Sequence, residues 1–107
     1  MRAITDPFEA IADSNRRAIL MLLSQDRQSI NTIAGNFNIS RPAVSKHIKV
    51  LYDAGLIAIT DSGRERYCEL KRDGFEEVKQ WIEYFDRFWK QKLTSLENLL
   101  NQKQNTK

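Results

Sequence analysis

Arg41, Ser45, Lys46, His47 and Lys49 form the densest set of groups in this chain able to donate hydrogen bonds to phosphate oxygens and base edges. No acid interrupts the set before Asp53. Ser40 is a good helix N-cap, Pro42 suits a first turn because its missing N–H would have no intrahelical partner there, and Gly55 is a natural C-terminal stop. A helix over 40–55 follows. Val44, Ile48 and Leu51 recur on it at spacings of four and three, so one face packs while the cationic face is offered to a partner. An α-helix fits the major groove of B-DNA with its N-terminal residues nearest the base edges, which places Arg41 to read a guanine and leaves Ser45, His47 and Lys49 for bases or phosphates.

Other chemistries find little to work with. His47 is the sole histidine and has no partner for acid–base work; no Ser/His/acid arrangement, phosphate-cradling glycine loop or paired-carboxylate cleft is legible, so no catalytic residue is expected. Cys68 is the sole cysteine, which excludes an internal disulfide and a thiolate metal site within one chain. On a strand it reads as a small buried apolar residue. Asp73, Glu76 and Glu77 fall in a helix's first turn, where the macrodipole explains carboxylates better than a metal does. No metal and no cofactor are expected.

The elements that position the cationic helix can be read around it. Asp6-Pro7 opens a short helix with Phe8, Ile11 and Ala12 on one side, and Ser14 and Asn15 offer caps for a second helix striped by Ala18, Ile19, Leu22 and Leu23. Arg16 and Arg17 in its first turn oppose the macrodipole and read as solvated beside Asp13 or as a seat for an outside anion. Residues 25–28 read as a polar connection, and Ser29 caps a third helix through Ile30, Ile33, Ala34 and Phe37 that braces the cationic one as a helix-turn-helix. Residues 56–60 and 66–70 are β-prone runs flanking the turn glycine Gly63, which predicts a hairpin with Arg64 and Arg66 near its tip. Those arginines would meet the DNA backbone or a narrow minor groove.

Residues 71–74 then end the hairpin and open a long helical tail. Phe75, Val78, Ile82, Phe85, Trp89, Leu93, Leu96 and Leu100 recur at intervals of three or four, a seam that one helix cannot bury. Trp81, Tyr84 and Phe88 widen it, and residues 101–107 read as a frayed polar end. The seam, with Phe8 and Ile11, predicts a homodimer interface formed by Phe8, Ile11, Val78, Trp81, Ile82, Phe85, Trp89, Leu93 and Leu96. A small-molecule effector bordered by Trp81, Tyr84, Phe85, Phe88 and Trp89 is a second use for these aromatics, but aromatic residues dominate interfaces and the dimer reading is preferred.

The expectation is therefore a mainly α protein with a small β-hairpin (α+β), one winged helix-turn-helix domain over 1–107 with a DNA-binding head at about 6–70 and a dimerisation helix at about 72–101. The net charge of +3 adds only a weak vote for a polyanionic partner, so the argument rests on where the cations lie. No apolar run approaches the roughly 20 residues that cross a bilayer, and residues 1–7 lack the apolar core of a signal peptide, so no membrane role and a cytoplasmic location are expected.

The stretch Asp6-Pro7-Phe8-Glu9-Ala10-Ile11-Ala12-Asp13-Ser14-Asn15-Arg16-Arg17-Ala18-Ile19-Leu20 resembles the opening of ArsR-type bacterial transcriptional repressors, and Ile39-Ser40-Arg41-Pro42-Ala43-Val44-Ser45-Lys46-His47-Ile48-Lys49-Val50-Leu51 with Ala54-Gly55-Leu56-Ile57 is similar to that family's recognition helix and exit. The likeness spans roughly 6–100 and implies a homodimer that represses by binding a double-stranded operator, with Ser40, Arg41, Ser45, Lys46, His47, Lys49, Arg64 and Arg66 at the DNA. The place of His47 in this motif favours DNA contact over its other reading, as a flank of the packing face. Two departures set the chain apart: the helix before the recognition helix lacks the cysteine pair with which many members sense metals, and the C-terminal helix lacks histidine. The expectation is an ArsR-like repressor without a metal sensor. Its rival is a winged-helix protein-interaction module whose DNA affinity is incidental.

Overall fold

The computed structural model describes residues 6–105. Elements follow in the order α1 (Pro7–Ala10), α2 (Ser14–Leu23), β1 (Gln28–Ser29), α3 (Ile30–Gly35), α4 (Arg41–Asp53), β2 (Ile57–Ser62), β3 (Glu65–Leu70) and α5 (Arg72–Asn105). The fold is mainly helical with a three-stranded antiparallel sheet in the order β1-β3-β2.

Side chains fix most of the helix starts. Asp6 Oδ1 accepts the Phe8 N–H at 2.9 Å, Ser29 Oγ the Thr32 N–H at 3.0 Å, and Ser40 Oγ the Ala43 N–H at 3.2 Å, each satisfying a donor the helix itself leaves unpaired. The core sits where α2, α3, α4 and the sheet converge, around Ile19, Ile33, Val44, Leu51, Leu56 and Ile57, all 1 % exposed or less. Gly55 leaves α4 at φ +76°, a conformation that suits glycine, and lets the Leu56 N–H reach back to the Leu51 carbonyl at 3.0 Å.

Several local expectations need correction. The cap of α2 is Asp13, whose carboxylate accepts the Arg16 N–H at 3.0 Å; Ser14 and Asn15 lie beyond it. Ala18 and Ala12 are exposed, and α1 buries Pro7 and Ala10 instead. The polar connection ends in a strand: Gln28 pairs with Cys68 and Ser29 with Tyr67, too short a run to show alternation. Phe37 follows α3 and packs from the turn. The hairpin strands run longer than expected, with Ser62 opposite Glu65 and only Gly63 and Arg64 between them. Helix α5 begins at Arg72, within the segment expected to open it, and residues 101–105 continue that helix.

At 34 residues α5 is about 51 Å long by the α-helical rise. It gives the molecule extents of 75 × 32 × 22 Å and a radius of gyration of 20.2 Å, against about 13 Å for a compact domain of this length. Only its beginning packs on the head: Val78 is 8 % exposed, so it serves the protomer's own core, while every α5 residue from Lys79 to Lys103 is exposed. Helix α1 docks beside this junction, with the Phe8 ring edge-on to Trp81 at 5.7 Å.

Candidate nucleic-acid interface

Burial of Val44, Ile48 and Leu51 turns the opposite side of α4 outward, and Ser40, Arg41, Ser45, Lys46 and Lys49 are all exposed on it. The N-terminus of α4 is exposed as well, so Arg41 stands at the end of the helix whose backbone N–H groups attract anions. Between α4 and the hairpin runs an open groove of about 400 Å³ lined by Ser45, Lys49, Tyr52 and Arg66, with Ile30, Ile48 and Ile59 at its base. The structure thus brings Ser45, Lys49 and Arg66 to one groove, leaves Arg41 and Lys46 on the helix outside it, and carries Arg64 to the turn of the hairpin.

Two of these cations already hold carboxylates. Lys49 Nζ lies 2.9 Å from Asp53 Oδ2 one turn along α4, and Arg66 Nε lies 3.1 Å from Asp61 Oδ1 across the hairpin. Both pairs face water, where an ion pair contributes little, so neither withholds its cation from a polyanion. They set the side chains' directions instead.

His47 takes a different direction from its neighbours. It is half-buried at the margin of the packing face, and its Nδ1 lies 3.3 Å from Arg16 Nη1 and 3.9 Å from Asp13 Oδ2. A guanidinium only donates, so in the neutral ring Nδ1 is the acceptor and Nε2 carries the proton. Arg16 is the residue that sequence reasoning placed wrongly. Its Nε donates to the Ala10 carbonyl at 2.7 Å and its Nη2 to the Glu9 carbonyl at 3.3 Å, while Arg17 Nη1 donates to the Ile11 carbonyl at 2.9 Å. Both arginines close the C-terminal end of α1, where carbonyls and the dipole favour cations, Arg16 from a part-buried position and Arg17 while still exposed to water. The signal was present in their distance of six residues from a very short helix. The Arg16 backbone N–H also holds the Asp13 carboxyl below its usual range.

On the sheet, Arg27 stacks over the Tyr67 ring at 4.3 Å, and Cys68 is fully buried in β3, where desolvation pushes its thiol up. Among the described residues, no three histidine, cysteine, aspartate or glutamate side chains gather in a way that could hold a metal ion, and no helix is long and apolar enough to cross a membrane.

A short helix bracing a second one with a cationic outer face, followed by a hairpin that adds arginine beside it, is the architecture of a winged helix-turn-helix DNA-binding protein. The sequence pattern of the family described as "Bacterial regulatory protein, arsR family" matches residues 13–58, from the cap of α2 into β2. The HTH-type transcriptional regulator Rv2034 of Mycobacterium tuberculosis is 34% identical over 94 residues, covering 88% of this chain and 85% of that protein. The transcriptional repressor SdpR of Bacillus subtilis is 35% identical over 75 residues, covering 70% of this chain and 83% of that one. A crystal structure of an ArsR family transcriptional regulator, RHA00566, superposes with a TM-score of 0.72 at 33% identity, over 79% of this chain and 88% of that chain. The chain belongs to the arsR family, and it is a DNA-binding transcriptional regulator.

Proposed function

We propose that this chain is a homodimeric repressor that binds a two-fold symmetric operator in the cytoplasm, without a resident metal and without a catalytic step. The observation that carries the reading is the exposed row Arg41, Ser45, Lys46 and Lys49 on α4, of which Ser45 and Lys49 share one groove with Arg66. Arg41 reads a base edge in the major groove; Ser40 and Ser45 contact bases or phosphates; Lys46, Lys49, Arg64 and Arg66 hold the backbone. His47, turned toward Arg16, orients α4 and is not assigned a base. Repression, as opposed to activation, is supported by the relative named a transcriptional repressor.

Dimerisation is supported by the apolar surface of α5. Trp81, Ile82, Phe85, Trp89, Leu93 and Leu96 are between 39 % and 62 % exposed in one chain, a continuous stripe of the kind that marks an interface. Val78, assigned to the interface from its spacing, is largely spent inside the protomer, and Phe8 and Ile11 are half-buried against the head.

Selection of DNA from a randomised pool by the full chain tests the reading. A palindromic consensus is expected, and Arg41→Ala should relax it at one position per half-site, costing about 1–3 kcal/mol there. A pool that stays random after selection would remove the operator from the proposal, and an unchanged consensus with Arg41→Ala would remove Arg41. A protein-interaction module with incidental DNA affinity would show a salt-dependent association but no consensus.

A further inference from the structure

The groove between α4 and the hairpin has a floor for which a phosphate backbone has no use. Ile30 from the start of α3, Ile48 from α4 and Ile59 from β2 meet there, and Tyr52, 52 % exposed, forms one wall. Ile48 is 2 % exposed, while Ile30 and Ile59 are half-buried and line the base with apolar surface. Phosphates gain from the cations on the rim but not from isoleucines beneath them, because apolar surface is stabilised only by an apolar cover. The local periods explain the mixture. On α4 the row Ser45, Lys49 and Tyr52, at spacings of four and three, runs along the groove beside the packing stripe. On the sheet Ile59 stands opposite the buried Cys68, and Arg66 lies two residues before Cys68, so an aliphatic side chain and a guanidinium share one face.

The lining carries Lys49 and Arg66 as cations, the hydroxyls of Ser45 and Tyr52, and no acid. Asp53 and Asp61, which hold the two cations, are not part of it, and exposed ion pairs of this kind contribute so little that an anion in the groove can take over either cation. A space of about 400 Å³ with an apolar base and a few convergent polar groups has the character of a small-molecule site. A duplex, stiff on this scale, bridges the rim without filling the base.

We propose that this groove binds a small organic anion, a carboxylate carried on an apolar body of medium length, and that the anion and the operator exclude each other there. The carboxylate takes the Arg66 fork and the Lys49 ammonium, with the Ser45 and Tyr52 hydroxyls as further donors, and the body lies on the isoleucines. The same two cations are the ones proposed above to hold the DNA backbone, so the ligand competes directly and no change of shape has to travel through the molecule. The inference rests on that reading of the DNA face, and its test separates the two.

Hexanoate serves as the probe, with acetate as the anion that lacks a body and hexanamide as the body that lacks a charge, all at one ionic strength. In a fluorescence-anisotropy competition against labelled operator from the randomised pool, hexanoate should displace the DNA at a concentration about tenfold or more below acetate, from the methylenes it buries, and about fivefold or more below hexanamide, from the two cations. Equal potency of acetate or of hexanamide overturns the proposal, as does the absence of displacement. Amide NMR of the full chain without DNA reads the site itself: hexanoate should move the signals of residues 45–52 and 57–66 and leave α5 from Lys79 onward still. Shifts confined to α5, or a loss of the dimer in sedimentation with hexanoate present, overturn the site. Ile59→Thr keeps the β-branch of the strand and changes a residue not proposed to meet DNA, so operator affinity should hold while the hexanoate concentration for half-displacement rises about threefold or more. An unchanged response to hexanoate removes the apolar floor and the proposal with it, and Ile30→Thr repeats this arm from α3 should the strand variant fail to fold. A pool that yields no operator removes the DNA reading and the exclusion together, while the NMR shifts decide the anion site by themselves.

Discussion

At the scale of single residues, Arg16 does more than its composition suggests. One guanidinium closes the end of α1 and touches His47 on α4, so it ties the part of the head that docks on α5 to the helix proposed to meet the operator. Arg16→Ala should lower stability by about 1–2 kcal/mol in urea denaturation, the range for charged hydrogen bonds that are only partly buried, and should weaken operator binding while the sedimentation of the dimer stays unchanged. Asp13→Ala removes the α2 cap and should lower stability. Its carboxyl titrates lower in the folded chain than in the unfolded one, so the stability it contributes is present above the ordinary carboxylate pKa and is lost as the pH falls through the lowered value. Acid titration of the Asp13→Asn protein should therefore lack that part of the wild-type decline below pH 4. Cys68, buried and with its thiol pushed up, should react with a thiol reagent only as fast as the head opens.

At the scale of elements, the close approach of α5 to the end of α4 decides how the head holds its long helix. A Cβ on Gly74 would lie 2.6 Å from the Ala54 carbonyl oxygen and 2.8 Å from Leu56 Cδ2, and the Gly74 N–H donates to the Gly55 carbonyl at 2.8 Å. Backbone cannot step aside as a flexible side chain can. Gly74→Ala should therefore destabilise the chain by about 2 kcal/mol or more, as overpacking does. At Gly63, where φ is +64° but nothing stands within 4 Å, alanine should cost only about 1 kcal/mol. Chemical denaturation of the two proteins ranks them.

The same elements show what the sequence could reveal. Caps at Ser29 and Ser40, the stripe of α4 and the glycine exit were legible because each is a local rule with a local partner. Strand β1 was not, since two residues carry no period and their pairing with Tyr67 and Cys68 is set nearly forty positions away. The exposed cationic face of α4 was legible in the residue types of 40–49, but the turning of His47 toward Arg16 depends on how α2 lies against α4, which no spacing within α4 encodes. The opening of the tail at 71–74 was legible, but the need for glycine at Gly74 was not, because the neighbour it admits is the end of another helix.

At the scale of the whole molecule, the elongated single chain is half of the dimer proposed above. Lys46→Ala should weaken binding about equally to all DNA sequences and reduce the slope of log affinity against log salt by roughly 1 per half-site, in contrast to the sequence-dependent loss from Arg41→Ala. Because the association that covers α5 stabilises the folded chain by mass action, the melting temperature should rise with protein concentration, and a melting temperature constant over a hundredfold dilution would contradict the dimer.

The protein has two tryptophans, and both stand on the seam, Trp81 56 % and Trp89 59 % exposed. Its tryptophan emission, excited apart from the tyrosines, consequently reports on α5 and on its junction with α1, where Trp81 meets the Phe8 ring. Dilution into the monomer range should move that emission to the red as the indoles meet water, and any ligand that loosens the pair would announce itself by the same colour change, without a label and without knowledge of the operator.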